Sequence, residues 1–348
     1  MSQGLTHTKK VQRRVLVTGG AGFIGSHLVE RLLLDDHSVT VVDNFATGDI
    51  GNLEQVKDHS SVSIHNVDVS NSEDLEGLFN GVEWVFHLAA LADIVPSIKD
   101  PLAYHKANVD GTVAVLETAR RAGVTRFIYA ASSSCYGVPD QYPTPESAPI
   151  RLMYPYALTK YIAEQYVLHW GRVYKLPVVS LRLFNVYGPR ARTSSSYGAV
   201  FGVFLAQKLS GKPFTVVGDG TQTRDFTFVS DVVQSLVSAA ESTIRDEVFN
   251  VGAGKPHSIN QLVEVLEGPV VYVPKRPGEP DCTYADISKI SKALHWSPKI
   301  SFEQGVRSVL DNIEQWKDAP VWDSASIADS TKDWFRYLGD LPEIMSKT

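Results

Sequence analysis

The 348-residue chain is 43% hydrophobic and 21% charged, ordinary proportions for a globular protein of two lobes that leave little room for long disorder. Its formal net charge is −6 and its longest basic stretch is Lys9-Lys10 to Arg13-Arg14, which argues against a nucleic-acid partner. With only Cys135 and Cys282 present, a disulfide framework and a metal-ligand cluster are both excluded. The polar opening MSQGLTHTKKVQRR has no apolar run behind it to serve as a signal peptide, and no stretch approaches the roughly 20 apolar residues of a membrane span. No membrane partner is expected, and a cytoplasmic location follows by default.

In chain order, short β-branched runs at 14–18, 39–43, 62–67, 84–88, 126–131 and 178–183 predict strands. Amphipathic stretches at 24–34, 112–122 and 155–174 predict helices between them. Regular strand–helix alternation implies an α/β protein with a doubly wound parallel sheet covered on both faces. No repeat period or low-complexity tract interrupts it. After Leu183, loops rich in Gly, Pro and Ser predict a smaller α/β lobe. The expected division is 1–183, with 226–252 returning to the sheet, against 184–225 with 253–348. The aromatic tail (Trp322, Trp334, Phe335, Tyr337) is expected to pack against the second lobe.

Gly19, Gly22 and Gly25 follow the first strand at intervals of three and open the first helix. Such glycines permit a tight turn, close backbone approach to a pyrophosphate and close helix–strand packing, while the helix N-terminus offers free N–H groups to phosphate. The pattern predicts a dinucleotide. Asp43, ending the second strand, would accept hydrogen bonds from an adenosine ribose and repel a 2′-phosphate, favouring NAD over NADP. Asp68-Val69 would sit near the adenine, with a helix cap as the alternative for Asp68. His87-Leu88-Ala89-Ala90 ends the fourth strand in small residues, suited to a backbone running beside a cofactor. Candidate cofactor contacts are thus Gly19, Gly22, Phe23, Ile24, Gly25, Asp43, Asn44, Asp68, Val69, Leu88, Ala89, Ala90, Asn108 and Lys160.

Tyr156 and Lys160, four apart in a helical stretch, share one face. A free tyrosine titrates near pH ~10, and a nearby ammonium together with the nicotinamide charge would favour its phenolate. Ser132, at the end of the fifth strand, brings a hydroxyl to the same reacting oxygen.

The glycine pattern, Ser132 and the Tyr156/Lys160 pair resemble the extended short-chain dehydrogenase/reductase superfamily, and within it the NAD-dependent epimerase/dehydratase family. The likeness runs from about Arg14 to Val309. It includes Leu183-Phe-Asn185-Val-Tyr-Gly-Pro189, Gly218-Asp-Gly220 through Arg224-Asp-Phe226, and Arg276-Pro-Gly-Glu279 followed by Ala285-Asp286. The resemblance implies a Rossmann sheet, a nucleotide-diphosphate sugar (UDP-linked by closest likeness to bacterial UDP-hexose and UDP-N-acetylhexosamine 4-epimerases) and a homodimer packed through the 112–122 and 155–174 helices.

It also implies site roles. Ser132, Tyr156 and Lys160 would be catalytic. Asn185 would meet the diphosphate, and Arg224 and Arg276 would clamp it with their planar donor forks. Arg190 and Arg192 are either phosphate partners or solvated loop charges. Ala92, Ser97, Ser133 and Ser134 would line the sugar pocket. In related epimerases, the residue seven after the phosphate-binding Arg bounds the C2 substituent, and a bulky Tyr there restricts N-acetylated sugars. Here that residue is Thr283, which leaves room. Asp231 reads as a helix cap.

Dehydratases and decarboxylating relatives carry a carboxylate in the turn after the serine, where this chain has Ser133 and Ser134. Epimerisation at C4 is therefore expected. A uronic-acid 4-epimerase, a 4-ketosugar reductase, a 3,5-epimerase/reductase and a non-catalytic dinucleotide-binding regulator remain as alternatives.

Overall fold

The computed structural model describes residues 11–191 and 199–339. Lys9-Lys10 and Arg192 lie outside the described residues. Six strands and the helices between them build the first half: β1 (Arg14–Thr18), α1 (Phe23–Leu34), β2 (Ser38–Asp43), β3 (Val62–Asn66), α2 (Ser72–Leu75), β4 (Trp84–His87), α3 (Ile94–Lys99), α4 (Pro101–His105), α5 (Gly111–Arg121), β5 (Arg126–Ser132), α6 (Pro155–Tyr174) and β6 (Val178–Leu183). A single wider helical turn, Lys106–Asp110, joins α4 to α5.

The second half runs β7 (Val186–Tyr187), α7 (Val200–Leu209), β8 (Phe214–Val217), β9 (Thr223–Arg224), β10 (Thr227–Phe228), α8 (Val229–Glu241), β11 (Glu247–Val251), β12 (His257–Ser258), α9 (Ile259–Leu266), β13 (Val270–Val273), α10 (Ser288–Leu294), α11 (Phe302–Asp311) and α12 (Ser324–Leu338). Among the described residues no helix is long and apolar enough to cross a membrane.

The main sheet has seven strands in the order β11-β6-β5-β4-β1-β2-β3, and every pair is parallel. Alternation along each strand divides its side chains between two packed layers. Val15 and Val17 face one layer with Phe86, Ile128, Val179 and Leu181. Leu16 faces the other with Val85, Phe127, Tyr129 and Val178. Both faces are dry, which is why these strands read as near-continuous apolar runs. Winding reverses between β1 and β4, opening a crevice at the strands' carboxyl ends.

A second apolar core collects Tyr187, Phe201, Phe204, Phe214, Phe226, Phe302 and Trp316. It is joined to the sheet by Asp225, which is fully buried. The Asp225 carboxylate accepts from the backbone N–H of Ala253 (2.6 Å), Gly254 (3.2 Å) and Ala285 (2.9 Å). Asp231 does not cap α8; it lies in the first turn and accepts from Lys299 and Ile300 N–H, both at 3.0 Å, holding the approach to α11.

Burial raises the Asp225 pKa from 3.8 to about 6, against the lowering effect of its three N–H donors. A carboxyl whose folded pKa is raised stabilises the fold fully below its unfolded value and loses that contribution as pH rises through the folded one. Urea denaturation should therefore show wild-type stability declining between about pH 4 and 6 relative to Asp225→Asn, whose side chain does not titrate. The variant should be less stable than wild type by about 2 kcal/mol near pH ~4, since a buried acceptor has become a donor facing donors, and the gap should narrow as pH rises toward about 6.

Candidate active site

A cleft of about 860 Å³ follows the carboxyl ends of β1, β2, β4, β5 and β6 and continues between the sheet and the second core. That volume suits a bound nucleotide and a second ligand end to end. The glycine turn forms one end. Gly19 has φ +69°, and a Cβ there would lie 2.7 Å from the Ala89 nitrogen, so β1 and β4 approach too closely for any side chain. A Cβ on Gly25 would strike the Gly19 carbonyl. No described side chain caps the N-terminus of α1, leaving its first N–H groups for an anion.

Asp43 is 7% exposed, and its two oxygens accept from Ala21 N–H and Phe45 N–H, each at 2.9 Å. Each oxygen keeps acceptor capacity in a residue that lines the cleft, the chemistry a ribose diol needs, and burial raises this carboxyl's pKa. Phe23, Ile24, Gly22, Asn44, Asp68, Val69, Leu88, Ala89 and Ala90 all line this end. Asn44 donates to Asp68 at 3.2 Å, while Ser70 N–H and hydroxyl reach the other Asp68 oxygen. Asp68 is thus a cleft residue, and Asn71 occupies the cap position of α2.

Asn108 does not line the cleft. It is 1% exposed in the wide turn before α5, where it brackets Leu91 by accepting from its N–H (2.8 Å) and donating to its carbonyl (3.0 Å). It shapes the loop after β4 from behind. His87 is likewise internal, bridging the hydroxyls of Thr18 (2.7 Å) and Thr112 (2.9 Å), and burial drives its pKa down to about 3.

Ser132, Tyr156 and Lys160 meet in the middle of the cleft. Proline at the first position of α6 starts that helix, and the four-residue spacing turns Tyr156 and Lys160 to one side. The Ser132 hydroxyl acts on the Tyr156 phenol, pulling its pKa down, and accepts from Ser134 N–H at 3.2 Å. Lys160 is 5% exposed, with its ammonium 4.3 Å above the Tyr129 ring; burial lowers its pKa to about 7, opposed by Glu164 one turn on. The expected lowering of the Tyr156 pKa is not what the protein groups produce. Burial raises it, Ser132 opposes that, and Asp93 raises it further. A phenolate here needs the positive charge of the nicotinamide.

The far end carries Asn185, Arg224, Arg276 and Thr283, all on the cleft wall. Arg224 is 8% exposed and ion-paired to Glu279 at 2.8 Å; Arg276 approaches the other Glu279 oxygen at 3.6 Å. One carboxylate therefore holds two guanidinium forks side by side, a surplus of one positive charge. Thr283 donates to the Asn185 side-chain oxygen at 2.6 Å and accepts from Asp225 N–H at 3.0 Å. Ala92, Ser133 and Ser134 line the wall near Ser132, and the buried Ser134 hydroxyl has no hydrogen-bond partner among the described residues.

Two expected substrate contacts fall elsewhere. Ser97 is fully buried and donates to the Ile94 carbonyl at 2.7 Å, an internal bond of α3. Arg190 turns away from the cleft to pair with Glu30 of α1. Conversely, Tyr154 and Asp93, given no role by the sequence, line the cleft, as do Glu279, quoted only as part of a motif, and Trp322 and Trp334, expected only to pack as tail aromatics. Glu279 was readable as a carboxylate three residues after Arg276; the others had no local signal.

Residues 15–252 match the NAD dependent epimerase/dehydratase family. The chain belongs to this family. Its cofactor is NAD, which the glycine turn, the uncapped helix and Asp43 fit. The chain is 35% identical over 307 residues to a UDP-glucose 4-epimerase of Mycolicibacterium smegmatis, covering 86% of this chain and 97% of that one. Two solved family structures are similar. The UDP-N-acetylglucosamine 4-epimerase of Methanobrevibacter ruminantium M1, in complex with UDP-N-acetylmuramic acid, is 35% identical with a TM-score of 0.83, covering 87% and 98% of the chains. The UDP-glucuronic acid 4-epimerase of Bacillus cereus, with UDP-glucuronic acid and NAD, is 34% identical with a TM-score of 0.80, covering 87% and 99%.

Gly19→Ala places a Cβ against β4 in a backbone conformation that alanine resists. The purified variant should carry at most about a tenth of the wild-type NAD, a tenfold loss equivalent to about 1.4 kcal/mol. Chromatography of the nucleotide released on denaturation measures it.

Proposed function

We propose that the chain is an NAD-dependent UDP-sugar 4-epimerase, an isomerase acting on a UDP-hexose or UDP-N-acetylhexosamine. The observation that carries this reading is that Ser132, Tyr156 and Lys160 share one stretch of the cleft wall, with Ser132 acting on the Tyr156 phenol, followed by a turn holding Ser133 and Ser134 in place of an acid. Elimination needs a second acid–base group in that turn; inversion of a carbinol carbon needs one proton site and a hydride acceptor.

NAD, when bound, supplies the two-electron redox chemistry. The protein's part begins with the Tyr156 phenolate, which takes the C4 hydroxyl proton as that carbon is oxidised. Ser132 donates to the same oxygen and keeps it aligned, and Lys160 holds the nicotinamide ribose. Arg224 and Arg276 grip the diphosphate while the 4-ketosugar turns about its phosphate linkage. Tyr156 then returns the proton at the opposite configuration. Ala92, Ser133, Ser134 and Thr283 bound the sugar. The small Thr283 leaves space at C2 for an N-acetyl group.

Asp93 favours a neutral sugar over a uronate. Its charge acts on Tyr156, so a substrate carboxylate would add a second negative charge beside it. Among the described residues the basic side chains lining the cleft are Lys106, Lys160, Arg224 and Arg276. Lys106 acts on Asp68 at the adenine end, and the two arginines are engaged by Glu279.

We read residues 1–183 and 226–252 as the NAD-binding domain, and 184–225 and 253–348 as the sugar-nucleotide lobe. Helices α5 and α6 suit a homodimer interface, for Leu158, Tyr166, Val173 and Tyr174 of α6 are exposed apolar side chains.

Proton NMR of the purified protein with UDP-N-acetylglucosamine or UDP-glucose and no added NAD should show the galacto epimer appear. Absence of turnover with both, even with NAD supplied, sinks the reading. Tyr156→Phe should lower kcat about 10³-fold while retaining NAD, since it removes the proton carrier and keeps the ring. Light scattering at micromolar concentration should give the mass of two chains; one chain would refute the α5/α6 interface.

A further inference from the structure

Helix α12 lies well beyond residues 15–252, the stretch that matches the family. Its buried residues are Ile327, Thr331, Trp334 and Leu338, spaced four, three and four apart, one stripe along the helix. Asp323 starts it with a capping box. Ile327 packs into the second core with Trp316 and Ala319, whereas Trp334 and Leu338 pack against Val95 of α3. One helix thus leans at its start on the second lobe and at its end on the sheet domain.

Trp334 is 3% exposed and forms part of the cleft wall. Its indole N–H donates to the Pro277 carbonyl at 2.7 Å. The Arg276 guanidinium carbon lies 5.5 Å from its ring centroid, within cation–π range. Its ring is 6.3 Å from that of Tyr154, two residues before Tyr156. The indole therefore holds the 276–279 turn twice, once by the backbone and once by the guanidinium. Glu279, at 3.6 Å, is a looser hold on Arg276. Stacking of the guanidinium against the indole restricts rotamer freedom that would otherwise be surrendered when phosphate binds.

We infer that Trp334 is a positioning residue of the substrate site: it presets Arg276 for the diphosphate and seals the cleft beside Tyr154, so that α12 sets sugar-nucleotide affinity. This rests on the reading above that Arg276 grips the diphosphate. Proton transfer at Tyr156 does not pass through Trp334, so affinity and rate separate.

The test uses the full chain with its NAD. Trp334→Leu and Trp334→Met remove the ring and keep apolar bulk; Trp334→Phe keeps a ring and loses only the N–H···O bond. Phe335→Leu, on the exposed side of the same helix, is the control. Titration calorimetry with UDP should show both ringless variants binding about tenfold more weakly than wild type, equivalent to about 1.4 kcal/mol. Their KM for the sugar nucleotide should rise in step, with kcat within about threefold and NAD content unchanged. Trp334→Phe should recover most of the loss, and Phe335→Leu should match wild type. Ringless variants with wild-type UDP affinity overturn the inference, as does a fall in kcat at unchanged KM. Wild type that binds UDP but epimerises nothing defeats the proposed function while leaving the Trp334 comparison decisive.

Discussion

The site depends on how closely β1 and β4 approach each other. Parallel strands on either side of a reversal in winding leave an open crevice, and the Gly19 turn must pass against Ala89 with no room for a side chain. That contact aims α1's uncapped N-terminus across the crevice and lets Asp43 sit deep at its edge. At the end of β5, on the same edge of the sheet, Ser132 faces the cleft with Tyr156. Chemistry from Gly19 to Ser132 is brought together because the parallel strands all end on one side, and the second lobe adds Arg224, Arg276 and Glu279 across the cleft.

Electrostatics in the cleft follow a gradient of burial more than of net charge. The protein is acidic overall, yet the far end keeps a local surplus of one positive charge through the Arg224–Glu279–Arg276 group. Midway, burial alone would keep Tyr156 protonated and weaken the charge on Lys160. The acid–base pair is thus tuned by whatever cation lies beside it, which ties proton transfer to cofactor redox state.

The sheet was legible because most of its strands are dry on both faces: the 14–18, 178–183 and 155–174 ranges coincide with β1, β6 and α6, and the other predicted boundaries moved by one residue. The glycine turn, Asp43 and the Ser–Tyr–Lys group were legible because each has a spacing that geometry requires. Long-range pairings were not. Arg190 carries a phosphate-binder's chemistry, but its partner Glu30 is 160 residues earlier. Ser97 and Asn108 follow suitable strands, yet their polar groups are spent on the backbone. Composition marked Trp334 as a packing residue of the tail without saying that its ring bounds the cleft.

The pairing of β11 with β6 has a consequence for the order in which the molecule can form. Between these neighbouring strands the chain travels from Leu183 to Glu247 by way of the second core. The seventh strand therefore cannot join until a nascent chain has extended past Val251, although the glycine turn and α6 are complete long before. Asp225 meets Ala285 later still. So wide a separation in sequence makes for slow closure, and during synthesis β6 waits as an exposed edge, the stage at which a ribosome-bound chain most needs protection from its neighbours.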